Sequence, residues 1–153
     1  MTSFIGDHTV KIDSKGRISF PSALLKQLPA ESSDKFVIKT DVYEKCLIIY
    51  SMEEWDRQTN IIRAKTNAFN PKHATFLREF YKGTAELRLD SNNRVLIPSR
   101  LLEYAQIEKD IYMLGQDKKI ELWAKELFDK NKVSAKELAE LAEEIMGGEL
   151  PEL

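Results

Sequence analysis

Val10-Lys11-Ile12-Asp13-Ser14-Lys15-Gly16-Arg17-Ile18-Ser19-Phe20-Pro21-Ser22-Ala23-Leu24-Leu25 is written a second time as Leu87-Arg88-Leu89-Asp90-Ser91-Asn92-Asn93-Arg94-Val95-Leu96-Ile97-Pro98-Ser99-Arg100-Leu101-Leu102. A shift of 77 residues lays Asp13 on Asp90, Ser14 on Ser91, Arg17 on Arg94 and Pro21 on Pro98. Ser22 then falls on Ser99, and Leu24-Leu25 on Leu101-Leu102. An internal repeat decides the fold before any single element does, because each copy must find a partner for its apolar face.

Each copy reads as strand, turn, strand, proline, helix. Val10 and Ile12 flank Lys11 in the apolar/polar alternation of a half-buried strand. Asp-Ser-Lys-Gly and Asp-Ser-Asn-Asn are turn chemistry: Asp accepts from a backbone N–H two residues on, and Gly or Asn tolerates left-handed backbone. Arg17 to Phe20 resumes an extended run, which Pro21 ends, and Ser22 to Leu28 is predicted as a short helix of about two turns.

The match continues at a spacing of 73, with Leu47-Ile48-Ile49-Tyr50 on Ile120-Glu121-Leu122-Trp123, so the second copy is four residues shorter between. Ser51 to Asp56 then falls on Ala124 to Asp129, and Ser51 with Glu54 is a capping box.

With 153 residues, each half alone has a marginal core, and two copies packed about a pseudo-twofold axis are expected. Apolar runs such as Cys46 to Tyr50 have strand length and fall far short of a membrane span. The N-terminus shows no long apolar stretch of the signal-peptide kind, and one cysteine in a strand-like run suits a buried thiol in a reducing compartment. The expectation is a cytoplasmic protein. Residues 137–153 hold six acids and no Lys or Arg, which leaves residues 1–136 with 23 basic and 19 acidic residues, a net +4. The body is mildly basic and the tail acidic, so the overall −2 does not argue against nucleic-acid binding.

Along the chain, residues 1–9 are expected as a lead-in, 29–34 as a loop, and Lys35 to Lys39 and Lys45 to Tyr50 as strands. A helix is predicted from Glu53 to about Lys65, with Trp55, Ile61 and Ile62 on its apolar side. Asn70-Pro71 starts another, whose Phe76, Leu77, Phe80 and Tyr81 should dock on the body. Gly83 opens the second copy, with strands at 111–114 and 119–123 about a turn at Gly115-Gln116-Asp117, then a helix from Lys125 to Asn131. A capping box of Ser134 and Glu137 starts a last helix with Leu138, Leu141, Ala142 and Ile145 on one face. It stops at Gly147-Gly148, and residues 149–153 are expected to fray.

Two Asp-x-x-x-Arg motifs, each in a strand-turn-strand followed by proline and a short helix, resemble the MraZ family of bacterial transcriptional regulators. Each half is similar to the AbrB/SpoVT swapped-hairpin DNA-binding domain. The likeness spans about residues 4 to 145. It divides the chain into a first repeat (4–56), connecting helices (57–82), a second repeat (83–131), and a terminal helix with acidic tail (132–153). It implies an α+β, mainly β fold in which duplicated swapped-hairpin units form one pseudo-twofold β-barrel with peripheral helices. It also implies a ring-shaped homo-oligomer that binds double-stranded DNA at promoter direct repeats, upstream of its own cell-division and cell-wall operon.

Carried over residue by residue, the motifs fall on Asp13/Arg17 and Asp90/Arg94. The family's glycine before the arginine is present as Gly16 but replaced by Asn93. Arg offers a rigid donor fork for phosphate or a guanine edge. Lys11, Lys15, Gly16 and Arg17, with Arg88 and Arg94 if the copies face one another, are the candidate DNA-binding residues. Asp13 and Asp90 are the candidate structural residues of the turns. The plainer alternative is that both Asp–Arg pairs only hold their hairpins together.

No catalytic, cofactor, metal or small-molecule site is expected. His8 and His73 stand apart without metal-ligand spacing, and Cys46 has no activating neighbour in sequence. A two-aspartate hydrolase built on Asp13 and Asp90 would need Asp-Thr/Ser-Gly, and the glycine is missing in both copies. A non-catalytic interaction or antitoxin-like module is the remaining alternative. A partner-binding tail is what would mark it.

Overall fold

The computed structural model describes residues 3–29 and 34–147; most of the expected 29–34 loop, the stop at Gly148 and the fraying of 149–153 lie outside them. The first strand, β1 (Phe4–Lys11), alternates inward Phe4, Gly6, His8 and Val10 with outward residues, so it starts earlier than the expected lead-in allows. The turn leads to β2 (Arg17–Ser19) and α1 (Ser22–Leu25). That helix is shorter than the predicted Ser22 to Leu28: beyond Leu25 the chain continues in tighter turns, Gln27 N–H donating to Leu24 O and Leu28 N–H to Leu25 O.

Next in the chain are β3 (Lys35–Thr40), β4 (Leu47–Ser51), α2 (Met52–Lys65) and α3 (Pro71–Tyr81). The second copy repeats the order as β5 (Thr84–Arg88), β6 (Arg94–Leu96), α4 (Ser99–Tyr104), β7 (Asp110–Asp117), β8 (Lys119–Ala124) and α5 (Lys125–Lys130), and α6 (Ala135–Met146) ends it. Three helices begin at a side-chain cap: Ser51 Oγ accepts from Glu54 N–H, Asn70 Oδ1 from Lys72 N–H, and Ser134 Oγ from Glu137 N–H.

Backbone pairing is exchanged between the copies. The main sheet runs β1-β7-β8-β4-β3-β5, wholly antiparallel. Its left half is β1 of the first copy beside β7-β8 of the second; its right half is β5 of the second beside β3-β4 of the first. The order reads the same from either end once the copies are interchanged, which is the expected pseudo-twofold. The remaining strands, β2 and β6, pair with each other across the same axis as a two-stranded ribbon.

Sheet and ribbon enclose one core. Ile18, Phe20 and Leu24 from one copy and their equivalents Val95, Ile97 and Leu101 from the other are all buried. They join Phe36, Ile38, Leu47, Ile49, Ile111, Met113, Ile120 and Leu122 in a single cluster, with Phe20 stacked on Phe36 at 4.8 Å. The fold is α+β and mainly β, as expected. The barrel is enclosed by a sheet with a ribbon over its open side, and the described strands form no continuous closed ladder.

Three local expectations give way. Gly115 was expected in a turn but lies inside β7 opposite Gly6, where a Cβ would sit 3.1 Å from the Gly6 carbonyl; the hairpin tip comes later, with Asp117 at φ 60°. Ile61, expected on the apolar side of α2, is exposed, and the residues buried there are Glu54 and Thr59. The α3 stripe docks in part. Phe80 stacks on Trp55 at 5.9 Å and Tyr81 meets it edge-on at 6.1 Å, while Phe76 stays half-exposed.

Candidate nucleic-acid interface

The two motif turns are built alike. Asp13 Oδ1 accepts from the N–H groups of Lys15 (2.9 Å) and Arg17 (2.8 Å), and Asp90 Oδ1 from those of Asn92 (2.8 Å) and Arg94 (2.9 Å). The other carboxylate oxygen accepts from the guanidinium Nε, at 2.8 Å for Arg17 and 3.0 Å for Arg94. The sharp reversal needs left-handed backbone, which Gly16 adopts at φ 87° and Asn93 at φ 57°. The replacement of glycine in the second copy therefore leaves the turn intact.

The two copies brace each other at these turns. Gly16 O accepts from Ile97 N–H at 2.9 Å, and the equivalent Asn93 O accepts from Phe20 N–H at 2.9 Å. The backbone bonds in turn fix the carboxyl charge. The Arg17 N–H first, then its guanidinium and the Lys15 N–H, hold Asp13 below the usual carboxylate range. For Asp90 the Arg94 N–H leads, followed by the Asn92 N–H and the Arg94 guanidinium. Each aspartate thus accepts from its own turn and from its own arginine.

Tying Nε to the carboxylate aims each arginine without consuming it. Among the described residues, neither Arg17 nor Arg94 has a hydrogen bond at Nη1 or Nη2, and their side chains are 28% and 29% exposed. The ribbon register decides where they point. Ile18 opposes Val95 and both are buried, so the flanking pairs Arg17–Leu96 and Ser19–Arg94 face outward. Arg17 and Arg94 are thus diagonal neighbours on one face, a relation that places side chains about 7–8 Å apart.

The other candidates flank this face. Lys15 is exposed at the tip of the first turn, where the second copy has exposed Asn92. Lys11 ends β1 opposite Asp110; its equivalent Arg88 ends β5 opposite Lys35, with Glu86 Oε1 3.6 Å from its Nε. Ser19 and Leu96, the latter 58% exposed, also belong to the outer face, and sequence reasoning missed them. The signal was available as alternation within two three-residue strands, but it could be read only once β2 was known to pair with β6.

The residues set aside in the sequence have ordinary structural places. Burial pushes the Cys46 thiol up to about 12, with Asp41 and Glu121 adding to the shift, so it is a packed, un-ionised side chain. His73 Nδ1 accepts from Asn67 N–H at 2.9 Å. His8 faces inward, with Nε2 buried and without a hydrogen-bond partner among the described residues. No group of three His, Cys, Asp or Glu suited to a metal occurs among the described residues. Asp13 and Asp90 are both shifted downward, the reverse of a dyad in which one carboxyl is kept protonated. No helix among the described residues is long and apolar enough to cross a membrane.

Comparison with known proteins agrees with the duplicated architecture. The family model described as "MraZ protein, putative antitoxin-like" matches twice, over residues 3–79 and 80–145. The chain is 38% identical over 144 residues to the transcriptional regulator MraZ of Phocaeicola vulgatus, covering 94% of each chain. It is 38% identical over 149 residues to that of Bacteroides thetaiotaomicron, covering 97% of this chain and 96% of the other. Identity with the Christiangramia forsetii protein of the same name is 39% over 153 residues, at 97% and 96% coverage. Matched along nearly its whole length, in two tandem units, the chain belongs to the MraZ family.

Proposed function

We propose that the protein is a transcriptional regulator that grips double-stranded DNA with the outer face of the β2–β6 ribbon and its two turns. The observation that carries this is the pair of arginines on one face, each held at Nε by its own aspartate with both Nη groups free among the described residues. A two-stranded antiparallel ribbon fits the major groove, where an arginine fork reads guanine and an apolar group such as Leu96 suits the thymine methyl. Lys11, Lys15 and Arg88 neutralise flanking phosphates, which positions the ribbon without reading sequence.

One ribbon spans only a few base pairs, so a single protomer binds weakly. A ring-shaped homo-oligomer repeats the contact along promoter direct repeats and gains through effective concentration. The regulated site in this reading lies upstream of the protein's own cell-division and cell-wall operon, and the protein works in the cytoplasm on the nucleoid. The names of its relatives, transcriptional regulators, support the reading.

The test is titration of the DNA upstream of its own coding region, and of a scrambled duplex, with wild type and Arg17→Ala. Loss of the preference in a folded, assembled variant is expected. An unchanged preference would place base reading elsewhere.

A further inference from the structure

Among the described residues, nothing lies against the apolar stripe of helix α6. Leu138, Leu141 and Ile145 are 62%, 44% and 72% exposed, and no residue of the helix is buried. In chain order α6 is the counterpart of α3, since each comes after the helix that closes its copy's last strand. The two helices differ in how the chain leaves them. After α3 it returns directly into β5, and that helix is held to the body through Phe80 and Trp55. Nothing returns from α6 among the described residues.

Elsewhere the surface carries a groove of about 470 Å³ between α3, the β3–β4 turn and α4. Its walls include the half-exposed Phe76, the exposed Val42 and Tyr104. Its charges are mostly positive: Lys39, Lys82 and Arg100 line it with Asp41 and Glu79. Lys82 and Glu79 pair with each other at 2.9 Å, and Arg100 Nη2 donates to Thr84 O, which leaves the charges of Lys39 and Arg100 against that of Asp41, a net of one positive charge.

Lys39 is the unusual member. It is only 3% exposed, and among the described residues its ammonium has neither a hydrogen bond nor an ion pair; it lies over the face of Phe80 at 4.2 Å, with the Asp41 carboxylate attracting it from beyond ion-pair distance. Lysine is almost never fully buried unless paired. An apolar groove with an unpaired ammonium in it suits an occupant with an apolar stripe edged by carboxylates. Helix α6 has that pattern along one edge: at about 100° per residue Glu137 and Glu144 border the stripe beside Leu141, whereas Glu140 and Glu143 fall on the opposite face with the single cation Lys136.

We infer that α6 of one protomer docks in the α3–α4 groove of a second copy of this chain, with an α6 glutamate reaching Lys39. At about 18 Å, a twelve-residue helix is long enough to lie along such a groove. Helix and groove are different surfaces, so the contact is head-to-tail, the type that closes into rings. The inference rests on the ring reading above and supplies its interface.

Two substitutions at exposed, unpacked positions test it without threatening the fold: Leu141→Asp on the helix and Val42→Asp on the groove rim. Masses from native mass spectrometry and light scattering, with circular dichroism as the folding control, are the readouts. Each variant alone is expected to lose the large assembly, with self-association weakened by about tenfold or more. An equimolar mixture of the two is expected to form a heterodimer and stop there, because it contains one intact helix and one intact groove.

If wild type assembles and both variants assemble equally well, the interface is wrong and the ring reading stands. If wild type is itself a monomer at micromolar concentration, both readings fall. If the variants keep the wild-type mass but melt earlier, α6 covers the groove of its own chain, and docking between copies is overturned. Lys39→Met adds a second reading: it is expected to weaken assembly and to reduce its dependence on salt, whereas an unaltered salt dependence would exclude the proposed glutamate contact.

Discussion

The Gly16 carbonyl accepts a hydrogen bond from the Ile97 N–H at 2.9 Å, joining the first motif turn to the strand end of the second copy. Gly16 is at φ 87°, and a Cβ there would lie 3.3 Å from the Ile97 carbonyl oxygen. Gly16→Ala is therefore expected to cost about 1–3 kcal/mol of stability, through left-handed backbone strain and a crowded contact. Gly16→Asn should cost less, because Asn93 already occupies the equivalent turn at φ 57°. Urea denaturation of the two variants checks the order.

Acid should loosen both turns. The native carboxyls of Asp13 and Asp90 lie below the ordinary value of 3.8, chiefly because each accepts from the N–H of its own arginine. A carboxyl depressed in the folded state stabilises it fully above the unfolded value. That contribution is lost as pH falls below 3.8 through the lower native pKa. Wild type is expected to lose stability on that descent, and the Asp13→Asn/Asp90→Asn double variant to be weaker at neutral pH with a shallower slope below pH 3.8. Denaturation midpoints from pH 7 downward measure both.

Interchanged strands should make the protomer unfold as one unit. Every strand pair that links β1, β2 or β5 to its neighbours joins opposite copies. Leu24→Ala and Leu101→Ala, at equivalent buried positions, should each lower a single transition by about 2–5 kcal/mol. A calorimetric trace that splits in two for either variant, or a fragment 1–70 that folds alone, would contradict the interlocking.

The two arginines have the same geometry, so any difference between them must come from their neighbours. Lys15 is exposed beside Arg17, while the neutral Asn92 is exposed beside Arg94. Arg17→Ala is expected to remove about 1–3 kcal/mol of discrimination between operator and scrambled DNA. Arg94→Ala should cost less, and Lys15→Ala should weaken all duplexes alike and reduce the salt slope by about one. Titrations at two salt concentrations separate the three. Equal losses for Arg17→Ala and Arg94→Ala would mean that the two motifs contribute alike and that Lys15 creates no asymmetry.

Much of this architecture was legible in one dimension. The duplicated Asp-x-x-x-Arg units, their turns and the capped helix starts are local features, set by backbone preference and by side chains reaching a few residues along the chain. The pseudo-twofold came from two similar halves, each too small for a comfortable core. What local chemistry could not specify was which strands exchange partners, since register depends on contacts distant in sequence. Pairing β2 with β6 put Arg17, Ser19, Arg94 and Leu96 on one outer face, and pairing β1 with β7 turned Gly115 from an expected turn residue into a close-contact strand residue. The same limit explains Ile61 and α6: periodicity marks an apolar side, but only the packed structure shows whether anything lies against it.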